Sequence, residues 1–411
     1  MSRIWLINHY ASTLTTGWGS RIYYLARELA RMGHEVTLVA ARCHHLLREG
    51  VDTDALPAEE MIDGFRFVRI DVPRYGHAND KRRILAWFAF AWKLPGLRRR
   101  PGETPDTILY SSPDLVGYLG AERLARACGA RLVFEVRDIW PLTLVEIGGY
   151  SPRHPFIRFL QWVEDRAYAR ADRVVSNLEG AVEHMAARGM DRNKFTWVAN
   201  GISLDEVESP APLDEVTVAA LPKNKFVVGY TGTVGTANAL NMVISAAYLL
   251  RTEEDIHFLI VGEGRDKHNL QQRTKSMNSS NITFINRIPK NQIQSMLKKF
   301  DVCVLSTIDT SLYRFGVSPN KIFDYLYSGK PVITAYSGKY DIVKRHNAGL
   351  QVPAGDPEAF ARAVKKLRDV GTRERSTMGK NGKDAILCQY TYSVLAKRLE
   401  EICFDKTNIN L

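Results

Sequence analysis

The regular alternation of short apolar segments with amphipathic ones constrains this chain more than any other feature. Arg3–Asn8 is apolar, apolar residues recur at helical spacing between Ile22 and Leu29, and Val36–Ala40 is apolar again. A strand–helix–strand unit of this length requires parallel strands joined by a right-handed crossover. Because the pattern continues through both halves of the 411 residues, we predict an α/β protein with two doubly wound parallel-sheet domains facing across a cleft.

The remaining elements are predicted from the same periodicities. Further strands are expected at Phe65–Ile70, Thr107–Tyr110, Arg131–Glu135, Arg173–Ser176, Phe226–Tyr230, His257–Val261, Ile282–Phe284, Val302–Ser306 and Pro331–Ala335. Helices are expected at Leu115–Cys128, Phe156–Arg170, Leu240–Leu250, Asn291–Lys299, Asn320–Ser328, Pro357–Arg368 and near Tyr392–Cys403.

A stretch with three prolines and little apolar periodicity, residues 203–224, marks the predicted domain boundary. The basic residues also change in type there: 25 Arg and 3 Lys precede residue 201, whereas 11 Arg and 17 Lys follow. We therefore predict an N-terminal domain over residues 1–202, a C-terminal domain over residues 203–385, and a final helix within residues 386–411 that packs back toward the first domain.

The charge balance favours an anionic partner. The chain has 56 Lys and Arg residues against 45 Asp and Glu residues, a formal net charge of +11. This balance suits nucleic acid, an anionic membrane or a phosphorylated substrate. The sequence has no helix-turn-helix, zinc-finger or RNP-like motif, so nucleic acid is disfavoured. Five widely spaced cysteines without a CxxC pair indicate neither a disulfide framework nor a zinc site.

One segment, residues 81–100, departs from the regular pattern. Lys81–Arg83 precede an apolar stretch rich in Trp and Phe, and Arg98–Arg100 follow it. About 14 apolar residues are too few to span a bilayer. Aromatic rings flanked by cations favour an anionic membrane interface, and a buried helix with solvated ends is the alternative. The residues predicted to contact the membrane or the acceptor are Arg82, Arg83, Trp87, Phe88, Trp92, Arg98 and Arg99.

The glycine-bearing loops exclude two common nucleotide-binding motifs. The dinucleotide fingerprint G-x-G-x-x-G fails at Gly17–Gly19, which has Ile22 at the sixth position, and at Gly262–Gly264, which has Lys267 there. Gly232–Gly235 has the wrong spacing, and no Walker sequence is present. The loops still follow predicted strands, where backbone N–H groups can approach a phosphate.

The segment from Gly316 to Leu326 carries the most specific chemistry. Ser318 is placed to cap a helix that starts at Pro319. The start of a helix attracts an anion, and Lys321 adds a full positive charge in the first turn. Because a cation there opposes the helix dipole, its presence indicates a bound anion, whereas an ordinary capped surface helix is the alternative.

The following residues resemble glycosyltransferase family 4. Asp324–Ile333 resembles its helix-turn-strand motif E-A-M-A-x-G-x-P-V-I. The other motifs appear in order along nearly the whole chain: Leu25–Val36 matches L-x-x-x-G-H-E-V, Ala199–Ile202 matches N-G-[VI], Phe258–Gly264 matches I-V-G-x-G, and Asp301–Leu305 matches A-D-V-x-V. Glu135–Pro141 is similar to the subgroup that builds bacterial capsule and O-antigen repeat units.

The resemblance implies a GT-B fold with two Rossmann-like domains. It implies metal-independent transfer, with retention of anomeric configuration, from a nucleotide-diphosphate sugar held mainly by the C-terminal domain, without a cofactor. The donor is expected to be a UDP-sugar, including N-acetylamino sugars. The acceptor is expected to be a lipid-linked saccharide on polyprenyl diphosphate, bound by the N-terminal domain. Alternatives are a nucleotide-sugar epimerase of GT-B fold and a non-catalytic membrane-associated scaffold.

Residue roles carried over by the resemblance, or assigned to the loops it identifies, complete the predicted site. Asp324 takes the place of the carboxylate that bonds the ribose hydroxyls, and Asp138, with Arg137 beside it, is the predicted catalytic position. The predicted donor-binding residues are Gly17, Gly19, Gly232, Thr233, Gly262, Glu263, Arg287, Ser318, Asn320, Lys321 and Asp324.

The sequence departs from the family pattern at three places. Gly316 replaces the first glutamate of the family's Glu-x7-Glu pair. Thr231–Thr233 replaces the Arg and Lys that usually follow the strand predicted at Phe226–Tyr230. Arg137 replaces the His that commonly precedes the Asp in the N-terminal domain. Charge on the diphosphate would then be met by Lys321, helix N-termini and Arg287. With no signal peptide and no apolar run of about 18 residues, the sequence predicts a cytoplasmic protein, peripheral on the inner membrane.

Overall fold

The computed structural model describes residues 1–17, 21–77, 80–99 and 104–404. These residues form two compact units. One comprises the chain from Met1 to Ala199 together with the helix that starts at Tyr392, and the other runs from Asn200 to Thr391.

Among the described residues, the first unit contains an eight-stranded sheet in the order β3-β4-β2-β1-β5-β6-β7-β8. The pairings are parallel except between β3 and β4. Adjacent β1 and β5 mark the point where the strand order reverses. The strands are β1 (Arg3–Ile7), β2 (Glu35–Ala41), β3 (Glu59–Ile62), β4 (Phe65–Ile70), β5 (Thr107–Ser111), β6 (Arg131–Val136), β7 (Arg173–Ser176) and β8 (Phe195–Trp197).

The described part of the second unit contains a six-stranded parallel sheet in the order β11-β10-β9-β12-β13-β14. Its reversal point lies between β9 and β12. The strands are β9 (Phe226–Thr231), β10 (Ile256–Val261), β11 (Ile282–Ile285), β12 (Val302–Ser306), β13 (Val332–Ala335) and β14 (Gly349–Val352). Two doubly wound α/β units confirm the predicted fold class.

Helices connect the strands in both units. Those of the first unit are α1 (Arg21–Arg31), α2 (Arg82–Lys93), α3 (Val116–Cys128), α4 (Leu142–Glu146), α5 (Pro155–Arg170) and α6 (Ala181–Ala187), joined by the last helix, α16 (Tyr392–Phe404). Those of the second unit are α7 (Leu204–Val207), α8 (Glu215–Ala219), α9 (Leu240–Leu249), α10 (Lys267–Ser276), α11 (Ile293–Leu297), α12 (Asn320–Tyr327), α13 (Ile342–Arg345), α14 (Pro357–Asp369) and α15 (Gly371–Ala385).

Local chemistry explains where these helices begin and end. In α5, Pro155 occupies the first turn, where its missing N–H costs nothing, and the His154 Nδ1 atom accepts a hydrogen bond from the Phe156 N–H. In α3, Gly129 ends the helix in the left-handed region at φ 66°. Helix α2 ends at Lys93 and passes into a 3₁₀ helix, Leu94–Arg99, because Pro95 lacks the N–H that the next α-helical hydrogen bond would need.

Helix α16 belongs to the core of the first unit. Leu395 and Leu399 are fully buried among residues of β1 and α1, and the Tyr392 ring stacks on Tyr24 with centroids 4.8 Å apart. Burial of a Leu side chain contributes about 1.5–3 kcal/mol, so this helix stabilises the unit formed by the start of the chain.

Within residues 1–17, 21–77, 80–99 and 104–404, no helix has the length and apolar character needed to cross a bilayer.

Candidate functional site

In the second unit, the carboxyl ends of β9 and β10 carry two glycine loops in close contact. Gly232 lies at φ 140° and Gly262 at φ 149°, a region that residues with a side chain rarely adopt. A Cβ atom at Gly262 would overlap the Gly232 carbonyl oxygen. The Gly232 N–H donates to the Val261 carbonyl at 3.0 Å, which fixes one loop against the other. Ligands of open α/β sheets bind at this edge.

Lys321, in the first turn of α12, points back toward these loops. Its Nζ atom donates to the Tyr230 hydroxyl and to the Asn238 Oδ1 atom, both at 2.7 Å, and lies 4.4 Å from the Tyr230 ring centroid. Both hydrogen-bond partners are neutral. Burial lowers the pKa of Lys321 to about 7. An anion at the glycine loops would supply the charge that these partners lack.

Ser318 and Asn320 lie at the start of the same helix. The Ser318 carbonyl accepts a hydrogen bond from the Asn200 Nδ2 atom at 2.6 Å, and its Oγ atom accepts one from the Asn200 N–H at 3.4 Å. The predicted Ser318 cap is therefore wrong: α12 begins at Asn320, and Pro319 precedes it without a side-chain cap. Asn320 is exposed. The hydroxyl that the sequence assigned to helix capping is instead held by Asn200.

Asp324 is buried and paired. Its two carboxylate oxygens accept hydrogen bonds from the Lys290 Nζ atom at 2.8 and 2.7 Å. The Lys290 side chain is 51% exposed, whereas the Asp324 side chain is 10% exposed. The carboxylate is thus held in place from the side of β11, whose loop carries Lys290.

The remaining predicted donor residues lie on neighbouring loops. Glu263 forms an ion pair with the Lys267 Nζ atom at 2.6 Å, and the same atom donates to the Asn286 Oδ1 atom at 2.7 Å. Lys267 therefore ties the loop after β10 to the loop after β11. Arg287 is exposed in the latter loop. The Thr233 carbonyl accepts a hydrogen bond from the Tyr230 hydroxyl at 2.7 Å.

In the first unit, Arg137 and Asp138 directly follow β6. The Arg137 N–H donates to the Ser112 Oγ atom at 2.9 Å. Asp138 retains exposed surface, yet the protein atoms around its carboxylate desolvate it and raise its pKa, which the Arg137 charge opposes. A carboxylate with a raised pKa holds a proton more readily and is better suited to general-base chemistry.

Gly17 closes a tight loop after β1. Its N–H donates to the Thr13 carbonyl at 2.9 Å, and a Cβ atom there would overlap the Ser12 side chain. Gly19, the other glycine assigned to this loop, lies outside the described residues.

Two buried pairs of titratable side chains at the same edge of the first sheet were missed by the sequence analysis. The Arg21 Nε atom donates to the Glu135 Oε1 atom at 2.9 Å; burial pushes the pKa of Glu135 up, but Arg21 and Arg137 lower it overall. The His9 Nδ1 atom lies 3.0 Å from the Asp114 Oδ2 atom, with both side chains at most 1% exposed. His9 follows β1 and Asp114 follows β5, so this pair lies where the strand order reverses.

The predicted membrane segment divides between core and surface. Trp87 is 2% exposed and its Nε1 atom donates to the Tyr10 hydroxyl at 2.6 Å, so its assignment to a membrane-contacting surface is wrong. The Arg83 guanidinium lies 4.9 Å from the Trp87 ring centroid. Phe88 and Trp92 are exposed, as are Arg82 and Arg98. The Arg99 side chain lies outside the described part.

Sequence reasoning also missed three residues around the predicted donor site: Tyr230, Asn238 and Lys290. Tyr230 and Asn238 are 91 and 83 positions from Lys321, and Lys290 is 34 positions from Asp324. Their own positions carry only a weak signal, since each lies at or shortly after the end of a predicted strand.

The two units match two family models. Residues 16–201 match the model described as a glycosyl transferase 4-like domain, and residues 225–369 match the model described as glycosyl transferases group 1. The matches cover most of the chain and fall on the two units in turn.

Two curated proteins and one solved structure resemble the chain over most of its length. WbjE of Pseudomonas aeruginosa, named as a probable glycosyltransferase, is 23% identical over 400 residues, covering 94% of this chain and 96% of WbjE. WcaI of Escherichia coli K12, named for colanic acid biosynthesis, is 24% identical, and the alignment covers 78% of this chain and 80% of WcaI. The structure of HepE from Anabaena with UDP and glucose has a TM-score of 0.67 at 12% identity, and the superposition covers 98% of this chain and 99% of HepE.

Proposed function

Because the chain belongs to the family 4 glycosyltransferases of GT-B fold, we propose that it moves a sugar from a nucleotide-diphosphate donor to a lipid-linked saccharide during cell-surface polysaccharide biosynthesis. The donor is a UDP-sugar, with N-acetylamino sugars among the candidates. The acceptor is carried on polyprenyl diphosphate at the cytoplasmic face of the inner membrane. Transfer needs no metal ion and retains the anomeric configuration.

The observation that carries this proposal is the placement of a buried lysine and two glycine loops at the end of β9. Lys321 lies beside two glycine loops with neutral hydrogen-bond partners, at the start of a helix. A diphosphate would accept hydrogen bonds from the ammonium group and from backbone N–H groups together. The name of WcaI supports a polysaccharide pathway, and UDP in the HepE structure supports the choice of nucleotide.

In the proposed reaction, the acceptor oxygen forms a bond to the anomeric carbon while the bond from that carbon to the donor phosphate oxygen breaks. The new bond forms on the face from which the diphosphate leaves. Lys321 and the helix start stabilise the charge that develops on the leaving phosphate. Asp138 accepts the proton of the acceptor hydroxyl, and its raised pKa favours this step.

Replacing Asp138 by Asn tests the role of the base. The amide keeps the shape but cannot accept the proton, and general-base catalysis contributes about 10²–10⁴-fold. We expect kcat to fall by about that factor while the Kd of the nucleotide sugar stays unchanged. Glu215→Gln, an exposed change on α8, is the control. Unchanged turnover in Asp138→Asn would remove Asp138 from the mechanism.

The reaction class is tested by incubating the protein with a nucleotide sugar, first alone and then with a lipid-linked saccharide. A glycosyltransferase gives a new glycolipid only when both substrates are present, and NMR of the new linkage should show the anomeric configuration of the donor. Conversion of the donor alone into its epimer would identify an epimerase instead.

A further inference from the structure

Helix α2 has apolar side chains on two opposite faces. One face, formed by Ala86, Trp87, Phe90 and Ala91, is buried in the first unit. The other face presents Leu85, Phe88 and Trp92, which are 60%, 46% and 79% exposed. A surface helix of a globular protein is usually apolar only on the face that packs against the core. The exposed apolar face of α2 therefore indicates a binding partner.

This exposed face continues onto α5 through stacked aromatic rings. The Phe88 ring stacks on Phe159 with centroids 5.8 Å apart, and Phe159 stacks on Trp162 at 6.1 Å. Trp162 is itself 52% exposed. We call this surface the aromatic face and define it by Leu85, Phe88, Trp92, Phe159 and Trp162.

A groove of about 420 Å³ adjoins the aromatic face between α4 and α5. Trp162 lines both surfaces, and Leu142, Val145 and Ile157 form the apolar part of the groove. Arg158 lies at its polar part, where Arg188 is already paired with Asp165 at 2.6 Å. The combination of apolar lining with the Arg158 guanidinium suits an acyl chain with an anionic headgroup.

An exposed basic residue lies on each of the two helices that carry the aromatic face. Arg82 lies one turn before Leu85 on α2, Arg158 lies on α5, and both are exposed. Helix α2 itself contains no acidic residue. Each basic side chain near an anionic leaflet increases binding roughly fivefold, and exposed Trp and Phe rings prefer the interface between headgroups and acyl chains.

We propose that the aromatic face is a docking surface for an anionic phospholipid bilayer, with α2 and α5 lying on the membrane plane. This surface includes α5, which the sequence segment 81–100 did not suggest, and excludes the buried Trp87. The proposal rests on the proposed function only where it names the surface at which the enzyme meets its lipid-linked acceptor. Membrane binding itself follows from the surface residues and does not depend on sugar transfer.

Vesicle sedimentation of the full chain tests the proposal. Vesicles of phosphatidylcholine that contain about 30% phosphatidylglycerol, an anionic lipid, should bind the protein. Vesicles of pure phosphatidylcholine should bind it at least about tenfold more weakly. The double variant Phe88→Ser, Trp92→Ser should lose at least about tenfold in binding to the anionic vesicles. Met61→Ser, which removes a side chain that is 69% exposed on β3, should bind as the unchanged chain does.

Two outcomes would overturn the proposal: no binding of the unchanged chain to anionic vesicles, or equal binding by the double variant. A dimer that becomes monomeric in the double variant, without vesicle binding, would assign the face to a second copy of the chain. Transfer to a soluble acceptor analogue is measured in parallel. Vesicle binding without transfer would contradict the proposed function alone, and transfer without vesicle binding would contradict the docking surface alone.

Discussion

Lys321 combines a buried ammonium group with a helix start, and its titration gives a test at the scale of one residue. Its pKa of about 7 means that the amine is mostly neutral at pH 8 in the donor-free chain. The neighbouring Tyr230 stays protonated, because burial raises the pKa of that hydroxyl. A bound diphosphate favours the charged amine, so binding takes up a proton above pH 7.

We therefore expect the Kd of a UDP-sugar to rise by up to about tenfold per pH unit above pH 7 and to be flat below it. Titration calorimetry in two buffers of different ionisation heat measures the proton uptake. Lys321→Arg keeps its charge throughout, so its affinity should not follow pH, and Lys321→Met should bind weakly at every pH. A flat profile in the unchanged chain would remove Lys321 from the phosphate site.

The same pKa makes a second prediction about stability. The folded chain binds fewer protons at Lys321 than the unfolded chain between pH 7 and 10.5, the ordinary value for lysine. This contribution to the free energy of unfolding therefore increases with pH across that window and is constant below it.

Asp324 offers a different test, because its carboxylate is buried and already paired with Lys290. If it accepts the ribose hydroxyls, Asp324→Asn should weaken UDP-sugar binding by about 10- to 100-fold, the effect of losing a charged hydrogen-bond acceptor. Calorimetry measures the change.

Asp341→Asn is the matched control for Asp324. Asp341 is equally buried in the same unit, where its carboxylate caps α13 and accepts a hydrogen bond from the Thr334 hydroxyl. Its variant should unfold at lower temperature with unchanged affinity for the nucleotide sugar. The assignment of Asp324 fails if both variants lose stability and neither loses affinity.

At the scale of elements, the sequence predicted most strands to within one residue, because buried parallel strands are continuous apolar runs. It missed β3, β8 and β14, of which β3 is an edge strand with Glu59 and Met61 exposed. Among the longer helices it missed α10 and also α15, whose sequence contains three glycines and few apolar residues. There Gly379 packs against the Gly329 carbonyl, so close tertiary packing overrides weak helix propensity.

The sequence could predict the residues of the candidate site only where one short segment contained several of them. The segment around Lys321 and Asp324 carried its own signal, namely a cation and a carboxylate in one helix. Tyr230, Asn238 and Lys290 could not be found in this way, because they join the site through strand crossovers of many residues.

The glycine loops provide a prediction about elements, since their contact depends on a missing side chain. Gly262→Ala should destabilise the second unit by about 1–3 kcal/mol, because φ is positive there and the new Cβ would overlap the Gly232 carbonyl. Gly235→Ala is the control: φ is −147°, and the nearest atom, in Thr233, is 3.8 Å away. Equal unfolding midpoints for the two variants would contradict the proposed loop contact.

At the scale of the whole molecule, each unit has charged or polar groups where its strand order reverses. In the first unit, His9 and Asp114 follow β1 and β5, and in the second, Lys321 reaches Tyr230 at the end of β9. Reversal points of this kind are where ligands of doubly wound sheets bind. The predicted diphosphate and ribose residues fall within the second unit, so donor binding should stabilise that unit.

A thermal-unfolding panel of nucleotide sugars tests this on the full chain. A donor at 100 times its Kd adds about 2.7 kcal/mol to the free energy of unfolding, on the order of 5–10 °C for a unit of this size. We expect UDP-sugars to raise the midpoint and GDP-sugars to raise it less. Lys321→Met should remove the shift without lowering the midpoint of the free protein by a similar amount. If no nucleotide sugar shifts the unchanged chain, the donor site is absent and the non-catalytic scaffold is the better description.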